Sequence, residues 1–326
     1  MKALFIGGTG IISSDCSRLA VERGWDLTLL NRGKQSSRPA IEGARVLVGD
    51  ATDPASIREA VGDEAFDVVA NFRAFTPDQV QADIDLFSGR TGQYVFISSA
   101  SAYRKPVAHR PITESTPLRN PFWQYSRDKI ACEDLLVAAH REDGFPATIV
   151  RPSHTYDATL IPFDAGWTMI DRMRRGLPVV VHGDGTSLWV LTHARDFAKG
   201  FVPLLGDPRV PGDAVHITTD ETLTWDAVAQ GLARAAGVEA DIVHVSSARI
   251  GRAVPDWEAG LLGDKAHSLV FDNSKLKSLV PDFAATTTWA QGAREIVAWY
   301  DAHPDQQVVD AELDATLDRL VEAERA

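Results

Sequence analysis

The sequence predicts an α/β fold, a mostly parallel sheet with helices on both faces. Three observations carry the prediction. Short apolar strands alternate with helical stretches through the first half. The strands are unbroken apolar runs, as burial on both faces requires. The first strand runs directly into a glycine-rich turn that opens a helix. Strands are expected at 3–6, 27–30, 45–48, 68–71, 94–97 and 148–151, and helices at 11–23, 54–62, 77–88 and 125–141. In the first helix, Ile12, Cys16, Leu19 and Ala20 recur at offsets of four, seven and eight and share a face, with Gly24 as its stop.

Past residue 152 the pattern loosens, and Pro and Gly punctuate short elements. Helices are expected at 224–236, 288–300 and 310–324. The last places Leu313, Leu317, Leu320 and Val321 on one face, to pack within the chain or against a partner subunit. The expected organisation is a dinucleotide-binding Rossmann domain over 1–152, followed by a smaller α/β substrate lobe over 153–326, interwoven with the sheet.

Composition narrows the function. The 326 residues are 44% hydrophobic, enough for a large core, and carry a net charge of −12. An acidic average disfavours nucleic acid as a partner, because phosphate backbones need concentrated positive charge. Two cysteines make no disulfide framework, so a reducing, cytoplasmic setting is expected. No secretory signal opens the sequence, and no apolar run approaches membrane-spanning length, so no membrane association is expected.

The turn Gly7-Gly8-Thr9-Gly10-Ile11-Ile12-Ser13 is the first functional signal. Gly7 permits the tight turn, and Gly10 leaves room for backbone to approach a pyrophosphate. The helix N-terminus then offers free N–H groups and a positive field. Thr9, Ile11 and Ile12 belong to the same cofactor-binding stretch. Ser13 replaces a third glycine. At the end of strand two, Asn31 stands where a NAD site often has an acid, and Arg32 offers a fork for a 2′-phosphate, with Lys34 or Arg38 to assist. The cofactor is therefore NAD(P), leaning to NADP. Asp50 ends strand three, for adenine contact or loop capping, and Asn71 ends strand four beside the cofactor.

The second signal is Tyr125-Ser126-Arg127-Asp128-Lys129. Tyr125 and Lys129 share a helix face four residues apart, and an ammonium beside a phenol favours phenolate. Lys129 can also hold ribose hydroxyls. Ser99, in the serine-rich end of strand five, is placed to bond the reacting oxygen. Ser99, Tyr125 and Lys129 are thus the expected catalytic set. Arg73, Phe75, Tyr103, Trp123 and His154 follow strand ends at the same edge and are candidates to touch substrate. Nine scattered histidines lack any compact ligand pattern, so no metal is expected.

On these motifs, with Gly183-Asp184-Gly185-Thr186 and Thr192-His193-Ala194-Arg195-Asp196, the chain resembles the extended short-chain dehydrogenase/reductase superfamily, within its NAD-dependent epimerase/dehydratase family. It is also similar to the atypical branch that contains chloroplast stem-loop RNA-binding proteins. The resemblance implies an NAD(P)-dependent dehydrogenase, reductase or epimerase, with a homodimer fitting the architecture. Dehydratases of that family carry acids directly after the catalytic Ser/Thr; here Ala100 and Ser101 stand there, against elimination of water. Epimerases often carry an Arg for the substrate pyrophosphate after the GDGT turn, where Leu188 and Trp189 stand here. The expected substrate is accordingly a small polyol, sugar or hydroxy-ketone reacting at a secondary alcohol or ketone. A sugar epimerase with a transient keto intermediate is the alternative. From another class, a non-catalytic dinucleotide-sensing or RNA-binding protein stays open.

Overall fold

The structure is a computed structural model describing residues 1–33 and 38–326. The first half alternates β1 (Lys2–Ile6), α1 (Ile11–Glu22), β2 (Asp26–Asn31), β3 (Arg45–Val48), α2 (Pro54–Val61), β4 (Phe66–Asn71), α3 (Pro77–Phe87), β5 (Thr91–Ile97), α4 (Gln124–Asp143) and β6 (Ala147–Pro152). The chain then runs through β7 (His154–Tyr156), α5 (Trp167–Arg174), β8 (Val179–His182), β9 (Leu188–Trp189), β10 (Leu191–His193), α6 (Ala194–Phe201) and β11 (Ala214–Ile217). Last come β12 (Leu223–Thr224), α7 (Trp225–Ala235), β13 (Ile242–Val245), α8 (Ser247–Ala253), α9 (Pro255–Gly260), α10 (Ser274–Leu279), α11 (Trp289–Ala302) and α12 (Ala311–Arg325).

The main sheet has the order β11-β6-β5-β4-β1-β2-β3, and every pairing is parallel. This is the Rossmann-type doubly wound sheet the apolar strands predict. The pleat explains the unbroken apolar runs. Ala3 and Phe5 face the layer of α1 and α6, while Leu4 and Ile6 face the layer of α2, α3 and α4. Cys16 and Ala20 of α1 pack on the first face, as their helical spacing predicts. The seventh strand, β11, has no counterpart in the sequence reading. At four residues bounded by Asp213 and Thr218 it is too short to stand out from the loosened pattern.

Beyond the sheet lies a smaller set of elements with its own aromatic core, including Tyr156, Trp167, Trp189, Trp225 and Trp289. The α12 helix packs within the chain: Leu317, Leu320 and Val321 meet Val243 and Val245 of β13. It also supplies Asp314 and Asp318 to the fully buried Arg172, at 2.5 and 2.8 Å. Two carboxylates offset the desolvation of that guanidinium, which an apolar neighbour would not. Among the described residues, no helix is long and apolar enough to cross a membrane.

Under the cofactor edge lies a buried polar group. Asp83 of α3 accepts from the Asn71 amide at 2.6 Å and the Tyr94 hydroxyl at 2.6 Å. Burial nonetheless raises its carboxyl to about 6, from an ordinary value of 3.8. The native state therefore binds this proton more tightly than the unfolded chain. The group's contribution favours folding below about pH 4 and is lost as pH rises through about 6. Unfolding in denaturant from pH 4 to 7 should show Asp83→Asn stabilised relative to the parent by roughly 2 kcal/mol more at pH 7 than at pH 4. A mutant-to-parent difference independent of pH would contradict this.

Candidate functional site

The glycine turn is built for close approach. Gly7 has φ +81°, and a Cβ there would lie 2.3 Å from Arg73 Cγ. Such a residue would suffer both backbone strain and collision. Gly10 caps α1, and a Cβ there would meet only Ser13 Oγ at 3.3 Å and the Gly7 carbonyl at 4.0 Å, leaving the outer side open. Ser13 has a role beyond small size. Its hydroxyl donates to the Gly7 carbonyl at 2.6 Å and accepts from the Gly10 N–H at 2.7 Å. Ser17 fixes the Gly8 carbonyl at 2.8 Å. The turn that carries Thr9, Ile11 and Ile12 is thus held from inside α1. A cradle without side chains at the N-terminus of a twelve-residue helix fits a dinucleotide pyrophosphate.

The rest of the cofactor edge is more committed than its residue types suggest. Asn31 Oδ1 accepts from the Gly33 N–H at 3.0 Å, while Arg32 is exposed. Arg38 is turned to Asp157 at 2.8 Å and to Thr159. Lys34 lies outside the described residues. Asp50 closes its own loop, with Oδ1 accepting from the Thr52 N–H at 2.9 Å and the Thr52 hydroxyl at 2.7 Å. Those bonds hold its carboxyl below the ordinary range. The Asn71 side chain is buried. Its oxygen takes the Arg73 and Ala74 N–H groups at 2.7 and 3.0 Å and its amide goes to Asp83, so no side-chain group of Asn71 faces the cleft.

A cavity of about 270 Å³ brings together Ser99, Trp123, Tyr125 and His154. Tyr125 sits in the first turn of α4, with its ring centroid 5.0 Å from that of Trp123 and 6.4 Å from that of Phe75. Ser126, one residue on, donates to Ser101 at 2.8 Å, and Ser101 lies 2.9 Å from Ser99. A line of hydroxyls thus orients Ser99. Burial pushes the Tyr125 phenol above its ordinary value, and the Ser99 hydroxyl pulls the other way. The expectation of a phenol held acidic by Lys129 is corrected here. The Lys129 ammonium is buried, 5.7 Å from the Tyr125 ring centroid, and donates to the Ala74 and Ile97 carbonyls at 2.7 Å each. Burial lowers its own value to about 8.

Not every substrate candidate reaches the cavity. Tyr103 is fully buried, its hydroxyl between His216 Nδ1 at 3.0 Å and the Arg151 guanidinium at 3.2 Å, and it belongs to the core. The β5 end turns it inward, beside the buried Glu133–Arg151 pair. Arg73 and Phe75 lie on the cofactor side instead, with the guanidinium 5.0 Å over the Phe75 ring and its stem against Gly7. His154 lines the cavity, and its Nδ1 accepts from the Trp189 indole at 3.1 Å. Burial lowers it to about 4, so it is neutral near pH 7. Trp189, in the stretch after the 183–186 turn, lines the cavity beside it.

The cavity also contains residues the sequence did not reveal: Ser153, Thr155, Asp264, Lys265 and Leu269. The last three come from a segment far along the chain with no motif of its own. Tertiary contact alone brings them to Tyr125.

A glycine-built dinucleotide cradle on a doubly wound sheet, with a Ser/Tyr pair sharing a cavity and a buried Lys one helical turn on from the Tyr, defines a nicotinamide-dependent oxidoreductase. Residues 3–217 match the NAD dependent epimerase/dehydratase family, and the chain belongs to it. It is 27% identical over 256 residues to the chloroplast stem-loop binding protein of 41 kDa b of Arabidopsis thaliana, an alignment covering 74% of this chain and 65% of that protein. It thus spans about two thirds of that relative's length. It is 26% identical over 328 residues to the 2'-dehydrokanamycin reductase of Streptomyces kanamyceticus, covering 98% and 90% of the two chains. The fold matches the UDP-glucuronic acid 4-epimerase from Bacillus cereus, a complex with UDP-glucuronic acid and NAD, at TM-score 0.73 and 17% identity, over 93% and 99% of the chains.

Gly10→Ala, whose Cβ would meet nothing closer than Ser13 Oγ at 3.3 Å, should weaken NADH binding by about tenfold or more while leaving the thermal midpoint within a few degrees, as read by fluorescence titration and calorimetry. Unchanged affinity would remove the turn from the cofactor site.

Proposed function

We propose that the protein catalyses reversible oxidation and reduction at a secondary alcohol or ketone of a small polyol, sugar or related hydroxy-ketone. The observation that carries this reading is the shared cavity of Ser99 and Tyr125, with Lys129 one helical turn behind. The bound nicotinamide supplies or accepts the hydride. Tyr125 exchanges the proton with the reacting oxygen, and Ser99 donates to that oxygen and fixes its position. Lys129 locks the strand ends that frame the pair, and its remaining proton is available to a ribose hydroxyl.

The cofactor rests on Gly7, Thr9, Gly10, Ile11 and Ile12, with Asn31, Arg32, Asp50 and backbone near Asn71 around the adenosine end. Arg73 and Phe75 cover the turn from β4. Solved structures of this fold hold NAD. For this chain we favour NADP, because Arg32 is exposed at the end of β2 with no carboxylate on that strand end. Both thiols are buried and free, which fits a cytoplasmic setting.

Similarity over 98% of this chain to a 2'-dehydrokanamycin reductase supports a substrate without a nucleotide. So does the cavity wall, which has Trp189 where a diphosphate would need a guanidinium. Release of the product makes the enzyme a reductase; retention of a keto intermediate and return of hydride to its other face makes it an epimerase. With a deuterated cofactor, a reductase transfers label stoichiometrically into product, whereas an epimerase consumes none.

Tyr125→Phe should lower turnover by at least about a hundredfold with folding and cofactor affinity intact; unchanged turnover removes Tyr125 as the acid/base. Arg32→Asp should weaken NADP by about tenfold more than NAD in parallel titrations. Equal losses would rule out a 2′-phosphate contact.

A further inference from the structure

The cavity has an acid that no motif announces. Asp264 sits in a π-helical turn, Leu261–Lys265, a geometry frequent at functional sites. The placement of this turn is over-determined. The Asn120 amide donates to the Gly263 carbonyl at 2.7 Å and to the Ser101 carbonyl at 3.0 Å. The Asn120 oxygen accepts from the Phe122 and Trp123 N–H groups at 3.1 and 3.2 Å. A Cβ on Gly263 would lie 2.9 Å from Trp123 Cβ, so the turn rests directly on the entry to α4. One asparagine thus ties together the serine loop, the start of the tyrosine helix and the turn that presents Asp264.

The carboxylate so placed is incompletely satisfied. Asp264 Oδ1 is buried and has no hydrogen-bond donor. Its neighbour is the fully buried Lys105 ammonium at 3.4 Å, which itself leans on the Tyr103 carbonyl at 3.3 Å. Enclosed against Lys105, Oδ1 leaves Oδ2 as the oxygen the cavity can reach, and among the described residues no donor meets it. Lys105 already balances the charge, so the missing partner is a neutral donor rather than a cation. The carboxylate shares the cavity with Tyr125, and its charge adds to burial in raising that phenol. The other cation in the wall, Lys265, is 3.1 Å from Asp164.

We infer that Asp264 is the substrate-positioning residue of this site: it accepts a hydrogen bond from a neutral hydroxyl on the carbon next to the one that reacts, and so selects vicinal diols and α-hydroxy-ketones. The inference rests on the proposed placement of the reacting carbon at Tyr125 and Ser99. With one hydroxyl at that pair and its neighbour at Asp264, a ring is held at two points between the indoles of Trp123 and Trp189.

The test is ligand-observed NMR titration of the NAD-saturated full chain with trans-cyclohexane-1,2-diol and with cyclohexanol. The parent should bind the diol about tenfold more tightly than the monol. Asp264→Asn should bring the two affinities within about twofold. Asp264→Glu, which keeps the charge beside Lys105 but moves the oxygens, should do the same and serves if the amide variant misfolds. Equal affinities in the parent, no detectable diol binding, or a preference surviving both substitutions would overturn the inference. Tyr125→Phe should retain the diol preference while losing turnover, so failure of the acid/base assignment is read separately. An independent readout is the ultraviolet titration of Tyr125, taken as the difference from Tyr125→Phe, which should move to lower pH in Asp264→Asn.

Discussion

The buried ammonium of Lys129 is the contact on which the site's geometry depends. It reaches from α4 to two carbonyls, one in the loop after β4 and one at the end of β5, and packs over the rings of Phe75 and Phe96. These are the two chain segments that leave the sheet on either side of the reacting centre. A cation without water must be surrounded by acceptors and π-faces, and here they come from three separate elements. Removing it would leave two unpaired carbonyls and free the serine loop from the tyrosine helix. Its main effect is therefore on position, and the phenol meets its partners because the strand ends are pinned.

Much of this could be read in the sequence, and the reason is local. Six sheet strands, the glycine turn and the Tyr/Lys spacing are each set by neighbouring residues: β-rich apolar runs, a backbone that needs positive φ, and a helical repeat. β11 is too short to stand out and depends on pairing with β6. Side-chain commitments were equally hidden. Spacing could not reveal that the Asn71 amide and the Asp50 carboxylate close their own networks, or that Tyr103 turns inward to Arg151 and His216. Asp264 was invisible for the same reason: its contact with Lys105, and those of the adjacent Gly263 with Asn120 and Trp123, are all remote in sequence.

Departures from the family pattern gain physical content from the fold. Ser13, a weak third glycine by pattern, is the internal fastener of the turn. Trp189, where a guanidinium is usual, anchors the neutral ring of His154. One substitution keeps the cofactor side intact while the other changes what the opposite wall can hold. The fastener of the turn and the wall of the cavity thus lie in separate stretches of the chain.

The β11 strand gives that divergence a structural basis. Between β6 and β11 the chain leaves the sheet, builds β7 and the Trp189 wall, and returns to pair alongside the strand it left. An excursion anchored at both ends can be rewritten without loosening its moorings. Within it, β7 and the strand of Trp189 shape the cavity wall, whereas α6 is held against α1 and the sheet, so recognition can be altered in the first part while the second keeps the nucleotide-binding layer packed.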